Sequence, residues 1–271
     1  MHPILFEIRG FPVYTYGVLL AAAYLLGLQF ALMRGRQRGL DPNRIMDLGI
    51  WIIISALAGA KLLLLVIDFK TFTSSWSAFM TLLRSAGVFY GGLIAAVVVA
   101  LWYLKRHKMP MWTVTDVFAP GIALGHVVGR LGCLFAGCCF GRRTAVPWAI
   151  TFHSEFAAQN VGTPLEVPLH PTQIYEAGAE LLILVLLLTT ERRGKPFPGR
   201  TFWSYMLLYG ISRSIIEFYR GDPRGMIWGF STSQFLSLLI VPLAIAMLVI
   251  LSRRPAPAPE ATKTKKKAKA A

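Results

Sequence analysis

Two arginines stand within the apolar segments that make up most of this 271-residue chain. Arg130 is flanked by Gly129 and Gly132, and Arg213 stands four residues before Glu217. A guanidinium keeps its charge when partly desolvated and donates parallel hydrogen bonds to phosphate oxygens. If a bond to that phosphate breaks, the same group stabilises the charge that develops. The two arginines therefore predict a phosphate site, with catalysis as one of its possible uses.

Each arginine also has a simpler interpretation. Arg213 and Glu217 are one helical turn apart and can neutralise each other. Arg130 near a helix end can extend to lipid headgroups. The glycines beside Arg130 favour close approach of another backbone instead.

Tyr16, Tyr90 and His170 are further candidates, because such side chains position polar substrates or transfer protons. The tyrosines are equally consistent with an aromatic belt at a membrane interface. His170 precedes Pro171 and can simply begin a helix.

Other charged residues within apolar segments favour structural roles. Glu176 and Glu180 lie one turn apart, and we expect them to bond to neighbouring helices. Lys61 has no acidic partner on its own helix, so we expect it to pair with Asp116 or a glutamate.

The three cysteines all fall between Cys133 and Cys139, with Cys138 adjacent to the last. Their spacing fits neither a CxxC motif nor a paired zinc knuckle. A disulfide between neighbours would be strained, and a five-residue separation along a helix is too wide for one. We expect small buried packing residues. Metal binding with His126 or His153, or a redox function, is the alternative.

The composition places these residues in a membrane. Hydrophobic residues make up 55% of the chain and charged residues 15%, with a mean hydropathy of +0.55. A soluble domain has about 45–50% apolar and about 25% charged residues. A cytosolic enzyme and a secreted disulfide scaffold are therefore excluded. The net charge of +15 lies mostly in short loops and a lysine-rich tail, which is typical of topology signals rather than of nucleic-acid binding.

Seven apolar stretches predict an all-α polytopic fold, because in lipid a spanning helix satisfies its own backbone groups. We expect one seven-helix transmembrane domain over residues 1–254. Over 255–271 we expect a disordered basic cytoplasmic tail, since Pro and Ala alternate there before a lysine run. The stretches cover roughly 13–33, 46–67, 87–104, 114–135, 172–190, 201–219 and 230–251.

The basic residues predict the orientation. The segments between successive apolar stretches, with the two ends of the chain, lie alternately on the two sides of the membrane. Eighteen Lys and Arg fall in the segments of one side and seven in those of the other. The positive-inside rule then puts the N-terminus in the periplasm and the C-terminus in the cytoplasm. Five helices thereby deliver polar residues to the outer leaflet, which predicts a site for an anionic lipid phosphate. A transporter would instead hold its ionisable groups near the midplane.

Five short motifs follow one another between residue 13 and about 240. They are Tyr14-Thr15-Tyr16-Gly17, Phe89-Tyr90-Gly91-Gly92-Leu93-Ile94, Gly129-Arg130-Leu131-Gly132 with Gly137 and Gly141-Arg142, His170 to Glu176, and Tyr209 to Arg220. In this order they resemble the motifs of the prolipoprotein diacylglyceryl transferase family. The third resembles its signature loop, and the fourth its His-Pro-Ser-Gln-Leu-Tyr-Glu element.

The resemblance implies an enzyme of the bacterial inner membrane that needs neither cofactor nor metal. It would transfer the sn-1,2-diacylglyceryl group from phosphatidylglycerol to the lipobox cysteine thiol of a prolipoprotein and release glycerol 1-phosphate. This is the first step of lipoprotein maturation. The reactive cysteine belongs to the substrate, so no cysteine of this chain need be catalytic.

The resemblance also implies residue roles. Arg130 and Arg213 would hold the phosphate, Glu217 would orient Arg213, and Tyr16 would position the headgroup or the acceptor. The implied phosphatidylglycerol-binding residues are Gly129, Arg130, Gly132, Cys133 and Arg213. The implied catalytic residues are Tyr16, Tyr90, Arg130, His170, Arg213 and Glu217.

The chain departs from the family pattern at the proposed base, where Tyr90 replaces a histidine. Tyrosine is a poor base at neutral pH. Tyr90, His126 and His170 are therefore all candidates for the proton acceptor.

The signature loop departs as well. Cys133 and Ala136 replace asparagines, and Cys138 replaces an acidic residue. These changes leave a second interpretation open, a phospholipid-binding or transport relative that is non-catalytic or has altered specificity.

Overall fold

The structure is a computed structural model that describes residues 2–8, 10–85, 87–193, 197–223 and 225–254. The predicted basic tail over 255–271 lies outside the described residues. The helices are α1 (Thr15–Gln37), α2 (Pro42–Ile67), α3 (Phe69–Thr73), α4 (Trp76–Arg84), α5 (Phe89–Arg106), α6 (Met111–Ala136), α7 (Glu155–Val161), α8 (Thr172–Arg193), α9 (Arg200–Glu217) and α10 (Thr232–Ser252). Three antiparallel ribbons pair β1 (Ile4–Ile8) with β2 (Phe11–Tyr14), β3 (Ile150–Thr151) with β4 (Pro168–Leu169), and β5 (Met226–Ile227) with β6 (Phe230–Ser231).

Each predicted apolar stretch overlaps one long helix. Among the described residues, α1, α2, α5, α6, α8 and α10 are six helices long and apolar enough to cross a membrane. Helix α9 has 18 residues but carries Arg200, Arg213 and Glu217. The chain is therefore an all-α polytopic membrane protein with six apolar candidate spans and one charged helix of similar length.

Local chemistry shifts some helix ends from those that hydropathy predicts. Helix α2 begins at Pro42, four residues before the apolar stretch, because the Asp41 side chain accepts a hydrogen bond from Asn43 N at 2.9 Å. Proline is also suited to the first helical position, where its missing N–H costs nothing.

Small residues set the closest helix contacts. A Cβ added at Gly27 of α1 would lie 2.7 Å from the carbonyl oxygen of Gly121 on α6. Gly59 of α2 and Gly91 of α5 meet in the same way. Such glycines let backbones approach closely, which is how helices gain contact area in lipid.

One buried and one partly buried carboxylate, those of Asp116 and Glu191, connect α6, α8 and α9 at the start of α6, the end of α8 and the start of α9. Asp116 accepts hydrogen bonds from Gly199 N at 2.7 Å and Phe202 N at 2.9 Å, which caps the start of α9. Glu191 at the end of α8 pairs with Arg34 of α1 and with Arg38, which directly follows that helix. These contacts hold α9 in register with α6.

The expected pairing of Lys61 is wrong. Its Nζ donates to the carbonyl oxygens of Leu82 at 3.1 Å and Leu83 at 2.9 Å, and also to that of Ser85. The last carbonyls of a helix have no partner within it. Lys61 therefore closes the end of α4 rather than meeting Asp116.

The loop after α6 crosses the end of the bundle where α8 begins and α9 ends. Gly141 N donates to His170 O at 3.1 Å, and Arg142 N donates to Tyr219 O at 2.8 Å. A side chain at Gly141 would collide with the backbone of His170. The loop therefore ties α6, α8 and α9 together at one end of the molecule.

Candidate functional site

Three arginines converge on one carboxylate at this end of the bundle. Arg130 Nε lies 2.5 Å from Glu176 Oε2, and Arg220 Nη1 lies 3.0 Å from Glu176 Oε1. Arg213 Nη1 lies 3.6 Å from the same oxygen. We call Arg130, Arg213 and Arg220 the arginine cluster. Because its members come from α6, α9 and the segment after α9, the site exists only when these elements are packed together.

Each buried arginine has further partners. Arg213 Nη1 lies 2.6 Å from Glu217 Oε2, and its Nη2 donates to Ser233 Oγ of α10 at 2.9 Å. Arg220 donates to both carboxylate oxygens of Asp222 at 2.8 Å. Buried charges require such pairing, since an uncompensated one is strongly destabilising.

Exposure distinguishes the members of the arginine cluster. The side chain of Arg130 is 21% exposed, against 7% for Arg213 and 2% for Arg220. Arg130 is thus the member that an incoming anion reaches first. Arg142 and Arg143 are exposed on the adjoining loop and add positive charge beside the arginine cluster.

A second polar group lies one turn along the same helices. His126 Nδ1 is 2.6 Å from Glu180 Oε1, and the Tyr205 hydroxyl lies 3.1 Å from the same nitrogen. The His126 side chain is 40% exposed, whereas Glu180 and Tyr205 are buried. A carboxylate on Nδ1 fixes the ring and leaves Nε2 available to accept a proton.

His170 occupies a different environment. Its Nδ1 is 3.1 Å from the Tyr175 hydroxyl, and its ring packs edge to face on Tyr219 with centroids 5.2 Å apart. With Trp148 these residues line an open cleft, which Val146 and Ile216 complete. His170 also anchors Gly141 through its carbonyl oxygen.

The two candidate tyrosines lie apart. Tyr16 of α1 packs on α6, where a Cβ at Gly132 would lie 3.3 Å from its ring. Tyr90 lies on α5, and its ring contacts Phe89 with centroids 5.6 Å apart. Among the described residues Tyr90 has no hydrogen bond or ion pair to the arginine cluster. Of the five helices predicted to bring polar side chains together, α6, α8 and α9 therefore do so, and Tyr16 of α1 lies beside them.

The glycines beside Arg130 differ from each other. Gly132 is buried against α1, as the expected close approach requires. A Cβ at Gly129 would meet nothing within 4 Å among the described residues, so Gly129 makes no such approach.

The cysteines lie closer together than helical spacing predicts. Helix α6 ends at Ala136, and Gly137 takes a left-handed φ of 79° that turns the chain back. The Sγ atoms of Cys133, Cys138 and Cys139 consequently all lie within 4.8 Å of one another. Hydrogen bonds among the thiols, with the charges of the nearby arginines, hold the pKa of Cys139 below its ordinary value although burial opposes this.

Sequence reasoning missed the centre of the site. The expected bonds of Glu176 and Glu180 to neighbouring helices are confirmed, since Glu176 joins all three arginines and Glu180 contacts His126 of α6. The sequence did not place Glu176 or Arg220 among the site residues. The available signal was charge balance, because three arginines at one end of the bundle require buried carboxylates. The segment that begins at His170 supplies the carboxylate that lies within reach of all three.

Fold and site together define a polytopic helical membrane protein with an arginine cluster suited to an anionic ligand. The family model described as prolipoprotein diacylglyceryl transferase matches residues 3–250, and the chain belongs to this family.

Three relatives are similar along nearly the whole chain. The phosphatidylglycerol–prolipoprotein diacylglyceryl transferase of Clostridium tetani is 35% identical over 246 residues, which is 90% of this chain and 96% of the relative. A second transferase of that name, from Clostridium perfringens, is 35% identical over 89% of this chain and 92% of its own length. The Finegoldia magna transferase is 29% identical over the same shares.

Proposed function

We propose that this protein transfers the sn-1,2-diacylglyceryl group from phosphatidylglycerol to the lipobox cysteine thiol of prolipoproteins, in the bacterial inner membrane. The observation that carries the proposal is the arginine cluster on Glu176, in a chain that matches the transferase family over residues 3–250. The relatives' names specify phosphatidylglycerol and a prolipoprotein as substrates.

The proposed topology has seven crossings, with the N-terminus in the periplasm and the C-terminus in the cytoplasm. Helix α9 is the seventh. Its Arg213 and Glu217 are buried and paired with each other, and pairing lowers the cost of holding charges within a membrane. The charge asymmetry of the connecting segments supports this orientation and with it an outer-leaflet position for the arginine cluster.

In the proposed reaction the thiolate of the acceptor attacks the glyceryl carbon that carries the phosphate. A carbon–sulfur bond forms, the carbon–oxygen bond breaks, and glycerol 1-phosphate leaves with the electron pair. Arg130 and Arg213 would stabilise the negative charge on the leaving phosphate. Glu217, 2.6 Å from Arg213, would fix the orientation of that guanidinium, and Tyr16 beside Gly132 would position the headgroup or the acceptor.

The thiol proton requires an acceptor, and we assign it to His126. Of the three candidates, His126 lies one turn from Arg130 on α6 and has the buried carboxylate of Glu180 on its Nδ1 at 2.6 Å. This arrangement stabilises the imidazolium that forms when Nε2 takes a proton. Tyr90 lies on α5 without a bond to the cluster, and His170 lines the aromatic cleft.

The decisive experiment incubates the full-length protein with phosphatidylglycerol and a lipobox peptide, followed by mass spectrometry of the peptide. We expect a mass increase of one diacylglyceryl group, absent from a peptide with serine in place of cysteine. A known transferase run alongside controls for the assay.

The replacements at Cys133, Ala136 and Cys138 support one rival, a phospholipid-binding relative without transferase activity. That rival predicts no mass increase while the protein still binds phosphatidylglycerol. Such a result would overturn the proposed activity.

A further inference from the structure

We propose that Cys133, Cys138 and Cys139 bind a single thiophilic metal ion, Cu⁺ or Zn²⁺, through three thiolates. Their Sγ atoms lie within 4.8 Å of one another. Metal–sulfur bonds of about 2.3 Å in a trigonal or tetrahedral site separate the sulfurs by roughly 4 Å. The three sulfurs therefore need to move by about 1 Å or less to reach the separation that one ion requires.

The chain holds this loop in place through polar contacts to its backbone. Thr172 Oγ1 donates to Cys139 O at 2.7 Å, and Gln173 Nε2 donates to Cys138 O at 2.7 Å. Both donors are fully buried at the start of α8. Cys139 itself has a φ of 63°, a conformation that a residue other than glycine rarely adopts unless its surroundings impose it. The convergence of the thiols is therefore set by the fold, as a preformed metal site requires.

The neighbouring charges suit thiolate ligands. Cys139 lies within the electrostatic influence of the Arg220 and Arg130 guanidiniums. Ligation by three thiols releases three protons and leaves the site with a net charge of −1 for Zn²⁺ and −2 for Cu⁺. The Arg130 and Arg220 guanidiniums lie beside that charge, while Glu176 and Asp222 already pair with them. Thiolates select soft ions over Mg²⁺ and Ca²⁺, which prefer oxygen ligands.

Packing alone explains the three residues less well. A role in packing requires only that the three side chains be small and apolar, and it does not require their sulfur atoms to lie together. All three thiols are free. A bound ion would join the end of α6 to the loop that follows it. It would thus fix the signature loop in a chain where cysteine and alanine replace the polar residues of the family pattern.

The test uses the full-length protein, purified in detergent under reducing and metal-free conditions. Zn²⁺ and Cu⁺ are added in separate titrations, the excess is removed by gel filtration, and bound metal is measured by plasma mass spectrometry. We expect one ion per chain from at least one metal, with alkylation of all three thiols slowed at least tenfold. Cys133→Ser and Cys138→Ser should each weaken binding at least tenfold. His153→Gln, at an exposed histidine outside the group, should bind as the wild type does.

Two results would overturn the proposal. One is equal metal binding by a variant with serine at all three positions, and the other is unchanged alkylation of wild-type thiols in the presence of either ion. The alkylation measurement needs no variant, so it decides the matter even if the serine variants fail to fold.

Discussion

Two pairs of helices in this bundle are held together in opposite ways. Helices α6 and α8 meet through buried charge, with Arg130 of one 2.5 Å from Glu176 of the other. Helices α2 and α5 meet through backbone, where Gly59 and Gly91 pack without side chains between them. The first contact requires one set of partners with a defined geometry, whereas the second requires only small residues. Chemistry that depends on fixed positions is therefore expected at the first.

The comparison bears on Tyr90. It stands on the glycine-packed pair, 38% exposed, while the candidates with defined polar partners stand on the charged helices. If catalysis is confined to the charged helices, substitutions on α6, α8 and α9 reduce activity and a substitution at Tyr90 does not.

The largest effect is expected from Glu176→Gln. The change leaves three arginines around a neutral amide, and removing one partner of a buried ion pair costs about 3–5 kcal/mol. We expect transfer activity to fall at least about 100-fold together with a clear loss of thermal stability in detergent. Glu166→Gln, at an exposed pair with His153, is the matched control and should change stability by less than about 0.5 kcal/mol. Wild-type stability and activity of Glu176→Gln would contradict the central place of this carboxylate.

Arg130→Lys should reduce the transfer rate about 100-fold while the protein stays folded. Lysine keeps the charge but loses the planar fork that holds a phosphate through two bonds. The rate is measured with saturating peptide. Arg143→Lys on the exposed loop should retain activity, and a fully active Arg130→Lys would exclude the role assigned to the guanidinium.

His126→Gln should lower the rate about 100-fold, in line with the loss of a general base. His170→Gln is the paired variant, and we expect less than about tenfold from it, since His170 bonds to Tyr175 rather than to a buried carboxylate. Binding of phosphatidylglycerol, measured separately, should be unchanged in both. The reverse order of effects would move the proton acceptor to the aromatic cleft.

The smallest effect is expected from Tyr90→Phe. It removes one exposed hydroxyl that has no hydrogen bond to the arginine cluster among the described residues. The loss of about 100-fold or more that follows removal of a proton acceptor is therefore not expected, and the rate should change by less than about threefold. A loss of 30-fold or more would mean that α5 closes on the arginine cluster during turnover. The contrast between the two helix pairs would then apply only to the resting protein.

Sequence reasoning succeeded where a contact is local. Arg213 and Glu217 share a helix, so their spacing alone brings them together, and hydropathy located the long helices. It failed where the partner comes from another helix. Lys61 donates to carbonyl oxygens at the end of α4. The partners of Glu176 on neighbouring helices could be expected but not named, because periodicity defines the face of a helix but not what packs against it. The predicted separation of the three thiols was wrong because the turn at Gly137 replaces an assumed helix.

The charges of α9 also bear on how the chain is made. Helix α9 carries Arg200, Arg213 and Glu217, and a charged residue costs up to about 2.5–3.5 kcal/mol on insertion, the full amount applying at the helix centre, so α9 enters a bilayer less readily than the six apolar helices. Within α9 Glu217 offsets Arg213, and the further carboxylate 3.6 Å from Arg213, that of Glu176, belongs to α8, which leaves the ribosome earlier. In biosynthetic terms, the proposed seventh crossing depends on helices already in place. Assembly of the arginine cluster and completion of the membrane topology are then a single event.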